Sequence, residues 1–149
     1  MDIQLSDALA IIAILISLLS LYISGKASQK QNKVALIEKR TEIFEKIRNY
    51  VNRLASWEFD YAWFEALGLS ETEIHALFNK RFKTFYVHLE RSSKKINILR
   101  GDCDYAKNHG QCNGRDEDEI ENEICQICEK IYEEFAELEM QIRKKYLTL

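Results

Sequence analysis

Apolar and polar positions divide the chain into an apolar beginning and a long amphipathic remainder. Residues 8–24, ALAIIAILISLLSLYIS, carry no charge over 17 positions. At about 1.5 Å per residue, a helix of this length approaches the roughly 30 Å hydrocarbon layer of a bilayer. The charged residues ahead of it are Asp2 and Asp7, whereas a secretory signal peptide begins with basic residues. The pattern predicts an uncleaved transmembrane anchor over residues 1–25.

The basic residues give this anchor an orientation. Every Lys and Arg follows the apolar stretch, and Lys26, Lys30 and Lys33 are nearest to it. Because flanking basic residues stay on the cytoplasmic side, we expect a single-pass protein of the cell inner membrane. Its N-terminus would face outward and residues 26–149 would form a cytoplasmic domain, with the first basic residues beside the anionic lipids of the inner leaflet.

Beyond the anchor, apolar residues recur at steps of three and four, the period of amphipathic helices on a shared core. The chain has no proline to interrupt them. We therefore predict an all-α fold, a helical bundle of about four helices. The predicted segments are residues 27–56, a short aromatic helix ending at Gly68, residues 70–99 closed by Gly101, a loop over residues 102–115, and a helix over residues 116–146.

Charge alternates in blocks around a net charge of −3. Residues 26–56 and 78–100 are basic, whereas residues 57–77 and 101–149 are acidic. The second basic block fits either a nucleic acid or, more simply, ion pairs with the acidic blocks of this chain or of its neighbours.

Small residues form a line along the predicted anchor. We name them the small-residue seam: Ser6, Ala10, Ala13, Ser17, Ser20, Ser24 and Ala27. In lipid, small residues let helix backbones approach each other, and hydroxyl groups bond across the contact. The seam predicts self-association, with a monomeric anchor as the alternative. In a closed ring Ser17, Ser20 and Ser24 would give a mildly polar pore lining.

A second candidate site combines Arg81 with His88. They are seven positions apart, so they lie only about 20° apart around a helix, and we expect them on the apolar face of residues 70–99. A cation there needs a partner. The pair predicts either hydrogen bonds to acids such as Glu133 or Glu137, or a catalytic site in which His acts as general base and acid and Arg stabilises a phosphorane-like charge.

An Arg followed after six residues by a His, in a helical domain of this size, resembles the signature of the HEPN superfamily. Together with an anchor, the layout resembles the small membrane proteins that accompany type VI-B CRISPR effectors. The resemblance implies metal-independent RNA cleavage by dimers at Arg81 and His88, or assembly of the N-terminal helix into a pore that depolarises an infected cell. It also implies a CRISPR effector or RNA as a partner.

Four cysteines are candidate ligands for zinc, which prefers four sulfur or nitrogen donors. They are Cys103, Cys112, Cys125 and Cys128. The alternative is that Cys128 is a small core residue, since it lies on the apolar stripe of the last helix.

These features favour an oligomeric membrane protein over an enzyme. The leading hypothesis is a pore or membrane-bound effector in bacterial antiviral defence, with other copies of the chain and membrane lipid as partners. A membrane-tethered HEPN-like ribonuclease and a non-catalytic membrane adaptor are the alternatives. Zinc is the one candidate cofactor.

Overall fold

A computed structural model describes residues 5–56 and 60–146, and their side chains from residue 13 onward. Within these residues the fold is all-α, as predicted. The helices are α1 (Leu5–Ala55), α2 (Tyr61–Glu65), α3 (Glu71–Leu77), α4 (Lys80–His109) and α5 (Glu117–Tyr146).

Helix α1 joins the apolar beginning of the chain to the bundle without a break. Phe44, Ile47 and Leu54 on its C-terminal half are buried in the core. Residues 13–33 are exposed along their whole length, and we call them the projecting stretch. The predicted amphipathic helix of residues 27–56 is thus the second half of one longer helix.

Within the described residues, no helix has both the length and the apolar character that crossing a membrane requires. The predicted anchor covers residues 1–25, and residues 1–12, including Ala10, lie outside the described side chains. The transmembrane assignment therefore stays a prediction.

The single helix predicted over residues 70–99 is wrong, because the chain breaks between α3 and α4. Ser70 caps α3, since its side chain accepts a hydrogen bond from the Glu73 backbone N–H at 3.1 Å. Phe78 is extended, and the Asn79 side chain caps α4 by accepting from the Phe82 backbone N–H at 2.9 Å. The break lets the Phe78 ring lie 4.4 Å from the Phe82 ring in the core.

The end of α4 also differs from the prediction. Gly101 lies inside the helix, which continues to His109 and is capped by Gly110 at φ +87°. Most of the predicted loop is therefore helix. The chain reverses at Asn113 and Gly114, which both have positive φ, and Asp116 then caps α5 by accepting from the Glu119 backbone N–H at 2.9 Å.

The core lies where α1, α4 and α5 meet, and α2 and α3 close one side of it. Phe44 stacks on Phe135 with ring centres 5.5 Å apart. Phe64 of α2 packs against the rings of Tyr50 and Tyr86 at 5.4 and 5.7 Å. Apolar residues spaced by three and four positions along α4 and α5 are buried in this core, namely Phe82, Phe85, Leu89, Ile96, Ile120, Ile124, Ile131, Phe135, Leu138 and Ile142.

Candidate functional site

Arg81 and His88 are the first two members of a longer series on α4. Polar residues occupy every seventh position, and the series continues with Lys95 and Asp102. Two helical turns contain about 7.2 residues, so these side chains lie along one edge of the helix. That edge borders α5, which runs antiparallel to α4.

Each member of the series bonds to the α5 side. Arg81 donates to Glu137 at 3.0 Å and to Gln141 at 3.3 Å. His88 Nδ1 lies 2.7 Å from a carboxylate oxygen of Glu134.

The second half of the series lies at the other end of the helix pair. Lys95 Nζ is 2.6 Å from Glu123, and its hydrogen bond holds the Glu123 pKa below the usual value. Arg115 bridges Asp102 at 3.4 Å and Glu123 at 2.7 Å. We call these contacts the α4–α5 ladder.

The ladder corrects the expectation that Arg81 and His88 point into an apolar face. The Arg81 side chain is 53% exposed and that of His88 is 36% exposed, so both lie at the margin of the core. Of the carboxylates expected as partners, Glu137 pairs with Arg81, whereas the partner of His88 is Glu134. The ladder positions two helices against each other, and its carboxylates already hydrogen-bond to the side chains of Arg81 and His88.

A shallow groove opens beside His88 on the surface away from the core. It has a volume of about 290 Å³ and is lined by Glu71, Lys83, Thr84, Val87, His88 and Arg91. Lys83 pairs with Glu71 at 2.8 Å, which lowers the Glu71 pKa. Arg91 adds a further positive charge to the groove, which favours the binding of an anion.

The basic block of residues 78–100 is largely engaged within the chain. Arg81 and Lys95 pair with acids of α5, and Lys83 pairs with an acid of α3. For these three residues, the contacts agree with the simpler of the two alternatives, ion pairs with acidic blocks, and not with nucleic-acid binding.

The described part of the small-residue seam lies on the projecting stretch. Ala13, Ser17, Ser20 and Ser24 are exposed, and within one continuous helix they share a face. The Ser17 hydroxyl donates to the Ala13 carbonyl at 2.8 Å. Its proton is therefore used within α1, and only its oxygen is left to accept a bond from another helix.

Large apolar side chains cover the rest of the projecting stretch. They are between 57% and 71% exposed and comprise Ile14, Leu15, Ile16, Leu18, Leu19, Leu21, Tyr22 and Ile23. By helical geometry they span about 220° of the circumference. Such a large exposed apolar surface is unusual for a protein surrounded by water.

The four cysteines do not converge on one point. Among the described residues, the group of potential metal ligands within 4.8 Å of one another is Cys103, Glu117 and Glu121. Cys128 packs against the core, and burial raises its thiol pKa to about 11. The contacts of Cys128 thus agree with the core alternative.

Sequence reasoning missed the second half of the ladder. Lys95, Asp102 and Arg115 connect α4 to α5 as Arg81 and His88 do. The available signal was the seven-residue spacing itself, which continues beyond His88.

Comparisons of the chain with protein-family models, with curated proteins and with solved structures gave no match.

Proposed function

We propose that this chain is an oligomeric single-pass membrane protein that opens a pore, or acts as a membrane-bound effector, in bacterial antiviral defence. The observation that carries the proposal is the projecting stretch of α1, where eight large apolar side chains are more than half exposed. An apolar surrounding for these side chains has to come from outside the described chain.

The energetic cost of leaving them in water is large. Complete burial of one such side chain is worth about 1.5–3 kcal/mol, so eight exposed ones would cost on the order of 10 kcal/mol. That is comparable to the whole stability of a typical domain, about 5–15 kcal/mol. Insertion into lipid removes this cost.

A second protein helix alone does not cover this surface. The large apolar residues span about 220° of the helix, whereas a packed helix buries a stripe of about 100°. The small-residue seam occupies the remaining side. We assign lipid to the apolar arc and other copies of the chain to the seam.

A ring of such helices would place Ser17, Ser20 and Ser24 around its axis. Their hydroxyl groups provide a polar path between apolar walls. The resemblance of the layout to small membrane proteins of type VI-B CRISPR systems supports a role in antiviral defence.

The test replaces Ser17 and Ser20 by Leu in the full chain. Two larger side chains on the seam keep the backbones apart, so we expect a smaller oligomer in detergent and loss of dye leakage from reconstituted vesicles. Mass photometry and a leakage assay measure the two effects. The matched control, Ile16→Leu with Ile23→Leu, also introduces two leucines, but on the lipid side, and should behave as wild type. Leakage that survives in the Ser17 and Ser20 variant would contradict the proposal.

The groove beside His88 favours a second candidate, a membrane-tethered HEPN-like ribonuclease. Arg91 lies with His88 along it and would hold an RNA phosphate near the imidazole, and Lys83 would join it only after leaving Glu71. In this alternative His88 transfers protons and Arg81 would have to leave Glu137 to stabilise the reacting phosphate.

A further inference from the structure

Three lysines follow the apolar part of α1 on the projecting stretch. Lys26, Lys30 and Lys33 are separated by four and three residues, so they lie within about 60° of one another around the helix. All three are exposed. We call them the lysine face.

The lysine face and the small-residue seam lie on different sides of α1. Taking about 100° per residue, the centre of the face is about 140° from the centre of the seam. It falls inside the arc of the large apolar residues. The side of α1 that we assign to lipid therefore continues from apolar side chains directly into lysines.

The axial distance matches the headgroup layer of a membrane. Lys26 and Lys30 follow Ser24 by about 3 and 9 Å along the helix, and the headgroup region is about 5–7 Å thick on each side. Lys33 lies about 13 Å beyond Ser24, a distance at which the surface potential of an anionic leaflet still acts.

Contacts among the described side chains leave the lysine face available. Among the described residues, the contact of Lys26 is with Tyr22, whose ring centre lies 4.8 Å from its Nζ atom. Tyr is a residue that favours the membrane interface. Lysines farther along α1 differ, since Lys39 pairs with Glu73 at 2.9 Å and Lys46 with Glu42 at 2.7 Å.

We infer that Lys26, Lys30 and Lys33 form a binding face for anionic lipid headgroups, turned outward from the oligomer while the small-residue seam is turned inward. The inference depends on the proposed membrane function and adds the lipid class and the side of the helix. Each lysine near an anionic surface favours the acidic lipid by roughly fivefold.

The experiment uses the full chain reconstituted in phosphatidylcholine vesicles that contain a photoactivatable phosphatidylglycerol. The test variant replaces Lys26, Lys30 and Lys33 by Gln. We expect its crosslinking to phosphatidylglycerol to fall roughly tenfold or more, with the oligomer mass in uncharged detergent unchanged. The charge-matched control replaces three lysines outside α1 and should crosslink as wild type; it combines Lys80→Gln, Lys107→Gln and Lys130→Gln.

A second variant keeps composition and net charge but moves the lysines onto the seam side. It combines Lys26→Ser, Ser28→Lys, Lys30→Gln, Gln31→Lys, Lys33→Ala and Ala35→Lys. We expect it to lose the lipid crosslink and also to dissociate, because like charges then face each other between copies.

Other outcomes overturn the inference. Wild-type crosslinking in the Lys26, Lys30 and Lys33 variant would remove the lipid assignment while leaving the membrane function intact. A fall in its oligomer mass in detergent would show that the lysines contact another copy of the chain instead of lipid. Release of the wild-type protein from vesicles by an alkaline wash would remove the proposed membrane function, and this inference with it.

Discussion

Arg81 and His88 show how one spacing can have two explanations. Six intervening residues match a catalytic signature, but the same interval is the natural repeat of two antiparallel helices. Lys95 and Asp102 continue it without any catalytic pattern. At the scale of single residues, the contacts favour a role in holding α4 against α5.

This role can be measured with His88→Ala, Glu134→Ala and the double variant. Because both side chains are about one-third exposed, we expect a coupling energy of only about 0.5 kcal/mol in a thermal or chemical unfolding cycle. RNA incubated with His88→Ala should be cleaved no less than RNA incubated with the wild type.

The matched control is Lys94→Ala, since Lys94 pairs with Glu90 on the same helix at 2.7 Å, away from α5. If His88→Ala abolished a wild-type RNA cleavage without lowering the unfolding temperature, His88 would be catalytic and the ribonuclease alternative would stand.

At the scale of the elements, two glycines near the end of α4 have roles that differ from those predicted from the sequence. Gly101 is followed by polar residues and looks like a helix end, but it lies inside α4. Gly110 ends the helix in a conformation with positive φ. The energetic consequences of an added methyl group at the two positions are therefore opposite.

We predict that Gly101→Ala stabilises the protein by about 0.5–1 kcal/mol, because Ala loses less backbone entropy inside a helix and nothing lies within 4 Å of the new methyl group. Gly110→Ala should destabilise it by about 1–2 kcal/mol, since φ is +87° there. Unfolding temperatures of the two variants in the same detergent test this. A lower unfolding temperature for Gly101→Ala together with a higher one for Gly110→Ala would mean that α4 ends at Gly101.

At the scale of the whole molecule, the bundle and the projecting stretch are separable. Residues 13–33 are exposed, and the first buried residue among the described side chains of α1 is Ile43. The bundle therefore owes little of its stability to the apolar part of the chain.

We predict that residues 34–149 alone fold and remain monomeric, because the small-residue seam that we assign to self-association is removed. Circular dichroism should show a cooperative helical unfolding transition, and sedimentation velocity should show a single monomeric species. The full chain in detergent serves as the comparison. A truncated chain that still sediments as the full oligomer would place the assembly contacts in the bundle.

Local patterns predicted much of this architecture. The apolar periodicity identified the buried faces of α4 and α5, because a helix that packs on one side must place apolar residues at steps of three and four. The Ser70 cap was also predictable, since it depends on neighbours three residues away. The exposed apolar run of α1 is likewise a property of consecutive residues.

Long-range contacts decided the rest. Phe78 leaves the helical conformation to place its ring beside Phe82 in the core, and His88 takes Glu134 as its partner, 46 positions along the chain. Cys128 packs against the core, and among the described residues the four cysteines do not form one cluster. Spacing along a chain limits which side chains share a helix face, but only packing between helices determines which of them meet, because each meeting depends on the rotation and register of two elements together.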